Sequence, residues 1–284
     1  MTHTSPPFAL FIHGPNDVIF ALSDVLGFEM EMQALAVSVF EDGPSSMHVQ
    51  ALFETQAQAE TCLAELDISG LEHFITQLPD EDWTAKSQAG LPPVEAGRFF
   101  VYGSHDADKI PPNMPYPIQI NAGIAFGTGH HGTTKGCLLA FDELIQNETP
   151  KTVLDLGCGA GVLAIAAAKA LDIPISASDI DDDAVMVTNE NARLNGVSAL
   201  IEAFQADGIA GTDTFDLIFA NILAGPLIAL APDIARSLAP NGHVILSGLL
   251  DEQADTLIAA YQNQDLSLAR RASLAGWTTL TMKK

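Results

Sequence analysis

The chain has 284 residues, 48% of them hydrophobic and only 17% charged, which is long and apolar enough for two packed cores and excludes a disordered polymer. Its 36 acids against 12 bases leave a net charge of −24, so a broad contact with a phosphate backbone, which needs Lys and Arg to neutralise phosphates, is excluded as a main function. No direct nucleic-acid binding is expected, and the acidity suits a basic partner or simply keeps the chain in solution. Phe8 to Ile12 is too short for a secretory signal and no Lys or Arg precedes it, and no stretch approaches a membrane span. Cys62, Cys137 and Cys158 lie far apart without a Cys-x-x-Cys, the usage of reduced thiols in a cytoplasmic protein. No metal site is expected, because His130-His131 is the single adjacent histidine pair and neighbours on a regular element point apart.

In chain order, Phe8 to Ile12 reads as a strand, Asp17 to Leu26 as a helix, Ala34 to Phe40 and Met47 to Phe53 as strands, and Gln56 to Leu66 as a helix. That order predicts a small two-layer α+β domain over residues 1–78. Pro79-Asp80-Glu81-Asp82 and Gly90-Leu91-Pro92-Pro93 predict a linker over 79–93, with a second domain over 94–284. Within it, Val94 to Val101 reads as one strand, followed by a proline-rich stretch from Pro111 to Pro117. Then comes an alternation: helix 132–145, strand 152–156, helix 162–171, strand 174–178, helix 183–194, strands near 200–203 and 216–220, helix 226–238, strand 243–247. Alternating elements of this kind predict a parallel sheet with helices on both faces, and Ser267 to Met282 could add an antiparallel edge pair.

The chemistry is concentrated in that alternation. Val153-Leu154-Asp155-Leu156-Gly157-Cys158-Gly159-Ala160-Gly161 is an apolar strand running into three alternating glycines ahead of a helix. A dinucleotide loop needs Gly-x-Gly-x-x-Gly, and Val162 stands where the third glycine belongs. Asp155 would repel a phosphate but attract an ammonium, which points to S-adenosylmethionine, a cofactor with an ammonium and no phosphate. Asp179, at the next strand end, can accept hydrogen bonds from two ribose hydroxyls, or can serve with Asp181 to Asp183 as a helix cap. Asp207 in an Asp-Gly pair stands near an adenine or makes a turn. Asn221 follows the strand Phe215 to Ala220, and its amide carbonyl can accept from an amine and aim the amine's lone pair at a methyl group; the alternative is a capping Asn. Asn221-Ile222-Leu223-Ala224 lacks the stacking aromatic of the Asn-Pro-Pro-aromatic motif of enzymes that methylate planar nitrogens, which shifts weight to an aliphatic amine.

Ala125-Phe126-Gly127-Thr128-Gly129-His130-His131-Gly132-Thr133-Thr134 precedes the first helix of this domain, with glycines for close backbone approach and threonines that can cap the helix or meet a ligand. Together with the glycine loop, Asp179 and Ala220-Asn221-Ile222-Leu223, it closely resembles the PrmA family, the methyltransferases of ribosomal large-subunit protein L11. The match runs over the whole chain, with departures at Asn121-Ala122 and at Gly132, where many members carry an acid with proline, and proline. The resemblance implies a Rossmann-like seven-stranded class I methyltransferase domain, preceded by a small α+β domain that recognises the substrate. It implies N-methylation of lysine side chains and the N-terminal α-amine of L11 by a monomer, with cofactor contacts from Thr134, Gly157, Gly159, Asp179 and Asn221. Three rivals stand beside it: a lysine methyltransferase of another protein, such as an electron-transfer flavoprotein subunit; a protein that binds S-adenosylmethionine without turnover; and an NAD-dependent oxidoreductase, which Asp155 and Val162 disfavour.

Overall fold

In the computed structural model the described residues are 6–26, 34–43, 46–66, 68–78, 93–120, 132–209, 211 and 213–284. The chain divides into two compact units, Met1–Trp83 and Thr84–Lys284. The expected linker over 79–93 lies, Pro93 apart, outside the described residues.

The first unit runs β1 (Phe8–Gly14), α1 (Asn16–Asp24), β2 (Ala36–Gly43), β3 (Ser46–Phe53), α2 (Gln56–Glu65) and β4 (Glu72–Gln77). Its strands are antiparallel neighbours in the order β2-β3-β1-β4, the split β-α-β arrangement, and they meet the two-layer α+β expectation. Leu10 and Ile12 of β1 and Val49, Ala51 and Phe53 of β3 turn to one face and form the core with Ile19 of α1 and Ala59 and Cys62 of α2. The period of two thereby sends Phe11, His13 and His48 to the opposite face. α2 starts at a reciprocal cap in which Gln58 N–H donates to Thr55 Oγ1 and Thr55 N–H donates to the Gln58 side chain.

The second unit opens with a three-stranded sheet, β5 (Val94–Ala96), β6 (Phe99–Tyr102) and β7 (Tyr116–Gln119). The single strand expected over 94–101 is thus a hairpin: Gly97 sits at φ 62, and a Cβ there would meet Asp142 Oδ2 at 2.3 Å. The glycine lets the turn press against α3 (Gly132–Leu144), where Arg98 Nε donates to Asp142 Oδ1 at 2.6 Å and Phe99 stacks on Phe141.

The main sheet has seven strands in the order β10-β9-β8-β11-β12-β14-β13. β8 (Val153–Leu156), β9 (Ile175–Asp179), β10 (Ile201–Gln205), β11 (Phe215–Asn221) and β12 (Leu238–Leu250) pair in parallel. β13 (Ser267–Leu274) and β14 (Trp277–Lys283) add the antiparallel edge pair. Successive residues divide between two cores: Val153, Leu217, Phe219 and Ile245 pack towards α3, α4 (Val162–Leu171) and α5 (Asp182–Leu194). Leu154, Ile218, Val244 and Leu246 pack towards α6 (Ala224–Ala229), α7 (Ala231–Ser237) and α8 (Ala254–Gln262). Nearly continuous apolar strands are what a sheet covered on both faces requires. The one helix expected over 226–238 is two, because Pro232 has no N–H to donate and ends the run begun at Ala224. The turn expected at Asn241-Gly242 is a kink inside β12, with Asn241 at φ 64. No helix among the described residues is long and apolar enough to cross a membrane.

Candidate active site

From β8 the chain moves outward through β9 to β10, then returns to β11 on the other side of β8. A parallel sheet opens a crevice at such a reversal, outside the carboxyl ends of its strands. The strand ends there deliver Gly157 after β8, Asp179 at the end of β9 and Asn221 at the end of β11.

The glycine loop spends its amides internally. Gly157 and Cys158 N–H donate to Ser178 O at 2.8 and 3.0 Å, and Gly161 N–H donates to Cys158 O at 2.8 Å. Gly159 N–H donates to Asp179 Oδ2 at 2.8 Å. These donors are therefore not turned towards a pyrophosphate, which removes the main reason for a dinucleotide at this loop. Gly157 stands at φ 72, and a Cβ on it would come within 2.3 Å of Ile222 Cγ2. The loop after β8 and the residue after Asn221 therefore touch, and only glycine permits it.

Asp179 is half-buried and takes a second amide, Asp181 N–H, on Oδ1 at 3.1 Å. Helix capping falls to Asp181, whose carboxylate accepts Asp183 N–H at 2.9 Å, so the cap reading of this acidic run belongs to a different residue. Each Asp179 oxygen keeps a lone pair, enough for two hydroxyls. Gln205 Nε2 donates to Ile180 O, and Ala206 N–H to Asp179 O, fixing this corner. Asp207 is exposed beside Gly208, whose φ of 80 is that of a turn.

Asp155 is 1% exposed, and its Oδ2 accepts Ala164 N–H at 2.9 Å, satisfying an amide of the first turn of α4. Burial pushes its carboxyl up to about 7, with a smaller upward push from the Asp179 charge and opposition from the Ala164 hydrogen bond. The carboxylate expected to attract an ammonium is thus buried, with one oxygen bonded to the first turn of α4. Burial also pushes the Cys158 thiol up to about 12, so it is no nucleophile.

Thr134 and Asn221, 87 positions apart, are brought together: Asn221 Nδ2 donates to Thr134 Oγ1 at 3.3 Å, with Thr134 2% exposed at the start of α3. That bond uses the amide nitrogen of Asn221 and leaves its side-chain oxygen out of the contact. The next two residues are apolar, Ile222 half-buried against Gly157 and Leu223 37% exposed. The loop from Ala125 to His131 lies outside the described residues, while Gly132 opens α3, where a Cβ would stand 2.9 Å from Leu274 O.

Sequence reading missed the residues that hold the loop from outside. Thr188 Oγ1 donates to Gly159 O at 2.9 Å, and Asn191 Nδ2 donates to Ala160 O at 2.9 Å, both from the buried face of α5. Their spacing of three on one helix face was the available signal, but their target lies about thirty residues back.

Comparison with known proteins places the chain in a family. The family described as ribosomal protein L11 methyltransferase (PrmA) matches residues 14–284. A ribosomal protein L11 methyltransferase of Rhodopseudomonas palustris is 44% identical over 294 aligned residues, covering 100% of this chain and 99% of that protein. One from Brucella suis is 47% identical over 263, covering 90% and 91%. The crystal structure of a ribosomal protein L11 methylase from Lactobacillus delbrueckii subsp. bulgaricus superposes with a TM-score of 0.61 and 29% identity, over 67% of this chain and 97% of that one. The chain belongs to the ribosomal protein L11 methyltransferase (PrmA) family, and its second unit is the Rossmann-like domain of an S-adenosylmethionine-dependent class I methyltransferase.

Proposed function

We propose that this protein methylates amine nitrogens of ribosomal protein L11, lysine side chains and the N-terminal α-amine, as a cytoplasmic monomer. Residues 1–78 recognise the substrate, and 79–93 join them to the methyl-transfer domain, 94–284. The observation that carries the reading is Asn221, at the carboxyl end of its strand with its side-chain amide held by Thr134 and the apolar Ile222 and Leu223 next in the chain. The names of the full-length relatives supply the substrate.

The residues at the crevice fit the cofactor: a loop whose amides are already used, an acid with lone pairs to spare, and a contact at Gly157 that a side chain would fill. When bound, S-adenosylmethionine supplies a methyl on a sulfonium, and displacement there depends on alignment more than on acid–base catalysis. Asp179 would hold the ribose hydroxyls, Gly157 and Gly159 would line the backbone approach, and Thr134 sets the plane of the Asn221 amide. A lysine has a pKa of roughly 10.4, so only about one in 2,500 is neutral at pH 7. Ile222 and Leu223 strip water from the incoming amine and favour that neutral form. The Asn221 carbonyl would accept one N–H of the amine and so fix the direction of its lone pair, with solvent as the acceptor for the proton that an alkylated amine sheds.

Asn221→Ala is expected to lower the turnover rate about a hundredfold through lost alignment while cofactor binding, measured by calorimetry, is largely kept. Unchanged turnover would remove Asn221 from the chemistry, and binding without turnover in the wild-type chain would favour a cofactor-binding protein.

A further inference from the structure

The face of the N-terminal sheet turned away from α1 and α2 carries a cluster that methyl transfer does not use. β1 and β3 pair with His13 directly opposite His48. β2 runs on the other side of β3, and its register shifts between Glu41 and Gly43, so Asp42 is the extra residue of a bulge. Bulges re-aim side chains, and this one brings the Asp42 carboxylate between the two rings. His13 Nδ1 stands 2.9 Å from Asp42 Oδ2, and His48 Nδ1 stands 2.7 Å from Asp42 Oδ1. One donor atom from each of the three lies within 4.8 Å of the others.

We propose that His13, Asp42 and His48 bind a divalent transition-metal ion of the zinc type, with water or a donor from a bound partner completing its coordination. Two imidazole nitrogens and a carboxylate are a donor set for zinc, cobalt or nickel rather than for calcium or magnesium, which take oxygens. Around zinc, with bonds of about 2.0–2.1 Å, neighbouring donors stand roughly 3.3 Å apart, so a set whose donor atoms all lie within 4.8 Å of one another reaches that spacing by small side-chain rotations. In the metal-free arrangement each Nδ1–H donates to the Asp42 carboxylate; on metal binding each imidazole would pass that proton to solvent, take one up at Nε2, and ligate through the freed Nδ1, with no oxidation and no net change in ring charge. The rings are already oriented: Phe40 stacks on His48 at 5.0 Å between centroids, Phe74 lies 5.9 Å from His13, and the two imidazoles are 4.8 Å apart. The side chains are 30%, 31% and 18% exposed for His13, Asp42 and His48, which leaves ligand positions open to solvent. With a net charge of −24, the whole chain also attracts cations. The donors are 29 and 6 positions apart and become neighbours only through strand pairing, which is why no motif announces them.

The test is titration of the full-length, chelator-treated chain with Co²⁺, followed by visible absorption, and then displacement by Zn²⁺. The expected result is one Co²⁺ per chain, displaced by one Zn²⁺, with affinity lowered at least about tenfold in His13→Gln/His48→Gln and in Asp42→Asn. Absence of stoichiometric binding, or stoichiometric binding retained by the double variant, overturns the proposal. Should the double variant fail to fold, paramagnetic broadening in the wild-type chain decides: it must fall on the His13 and His48 imidazole resonances, and broadening confined to other histidines overturns the site equally.

Discussion

Burial governs Asp155 more than any neighbouring charge does. Its carboxyl is pushed up to about 7 against an ordinary 3.8. A raised acid favours the protonated folded state, so its contribution to stability is complete below about pH 4 and is lost as pH rises towards 7. A cationic ligand in the crevice favours the ionised form and expels that proton. Calorimetry of S-adenosylmethionine binding at pH 6, repeated in buffers of different ionisation enthalpy, is expected to show proton release approaching one per site, vanishing at pH 8. Asp155→Asn should abolish the release while the amide oxygen still accepts Ala164 N–H. Equal release in that variant would assign the proton elsewhere. Gly157 is the other residue with little freedom. Gly157→Ala meets Ile222 Cγ2 at 2.3 Å and holds a side chain at φ 72. The expected cost is about 1–3 kcal/mol in denaturant unfolding, with weakened cofactor binding that Ile222→Ala partly restores. An unaltered Gly157→Ala protein would contradict the close approach.

Among the elements, α5 has a positioning role besides covering the sheet. Thr188→Val keeps volume but leaves Gly159 O without its donor, at an expected cost of about 1–3 kcal/mol and with weaker S-adenosylmethionine binding. A loss of stability without any loss of affinity would make Thr188 merely structural. The glycine loop, Asp179 and Asn221 could be read directly, because each follows an apolar strand and parallel strands collect their carboxyl ends at one edge. What escaped the sequence did so for local reasons. Only Ile75 of β4 is even partly buried, so Glu72–Gln77 shows no apolar alternation. β7 hides behind Pro117, which an edge strand tolerates. The pattern of α8, with Ala254, Leu257 and Tyr261 buried at three- and four-residue steps, was present and unread. The Thr134–Asn221 bond is a different case: the resemblance named both residues, but local pattern alone could not pair positions so far apart.

At the scale of the whole molecule, two units with separate cores divide the work: one carries the methyl-transfer crevice, and the other, by our proposal, the recognition of L11. The net charge of −24 gives the chain an attraction for a basic ribosomal protein and a repulsion from RNA. The most direct test of the central claim is mass spectrometry, intact and by peptide, of purified L11 from the same cell, incubated with this protein and S-adenosylmethionine beside an Asn221→Ala control. The account predicts mass gains in single methylene steps, mapped to lysines and the α-amine and strongly reduced in the control. L11 that gains no mass while the cofactor is demonstrably bound, or that gains equally with the control, would contradict it.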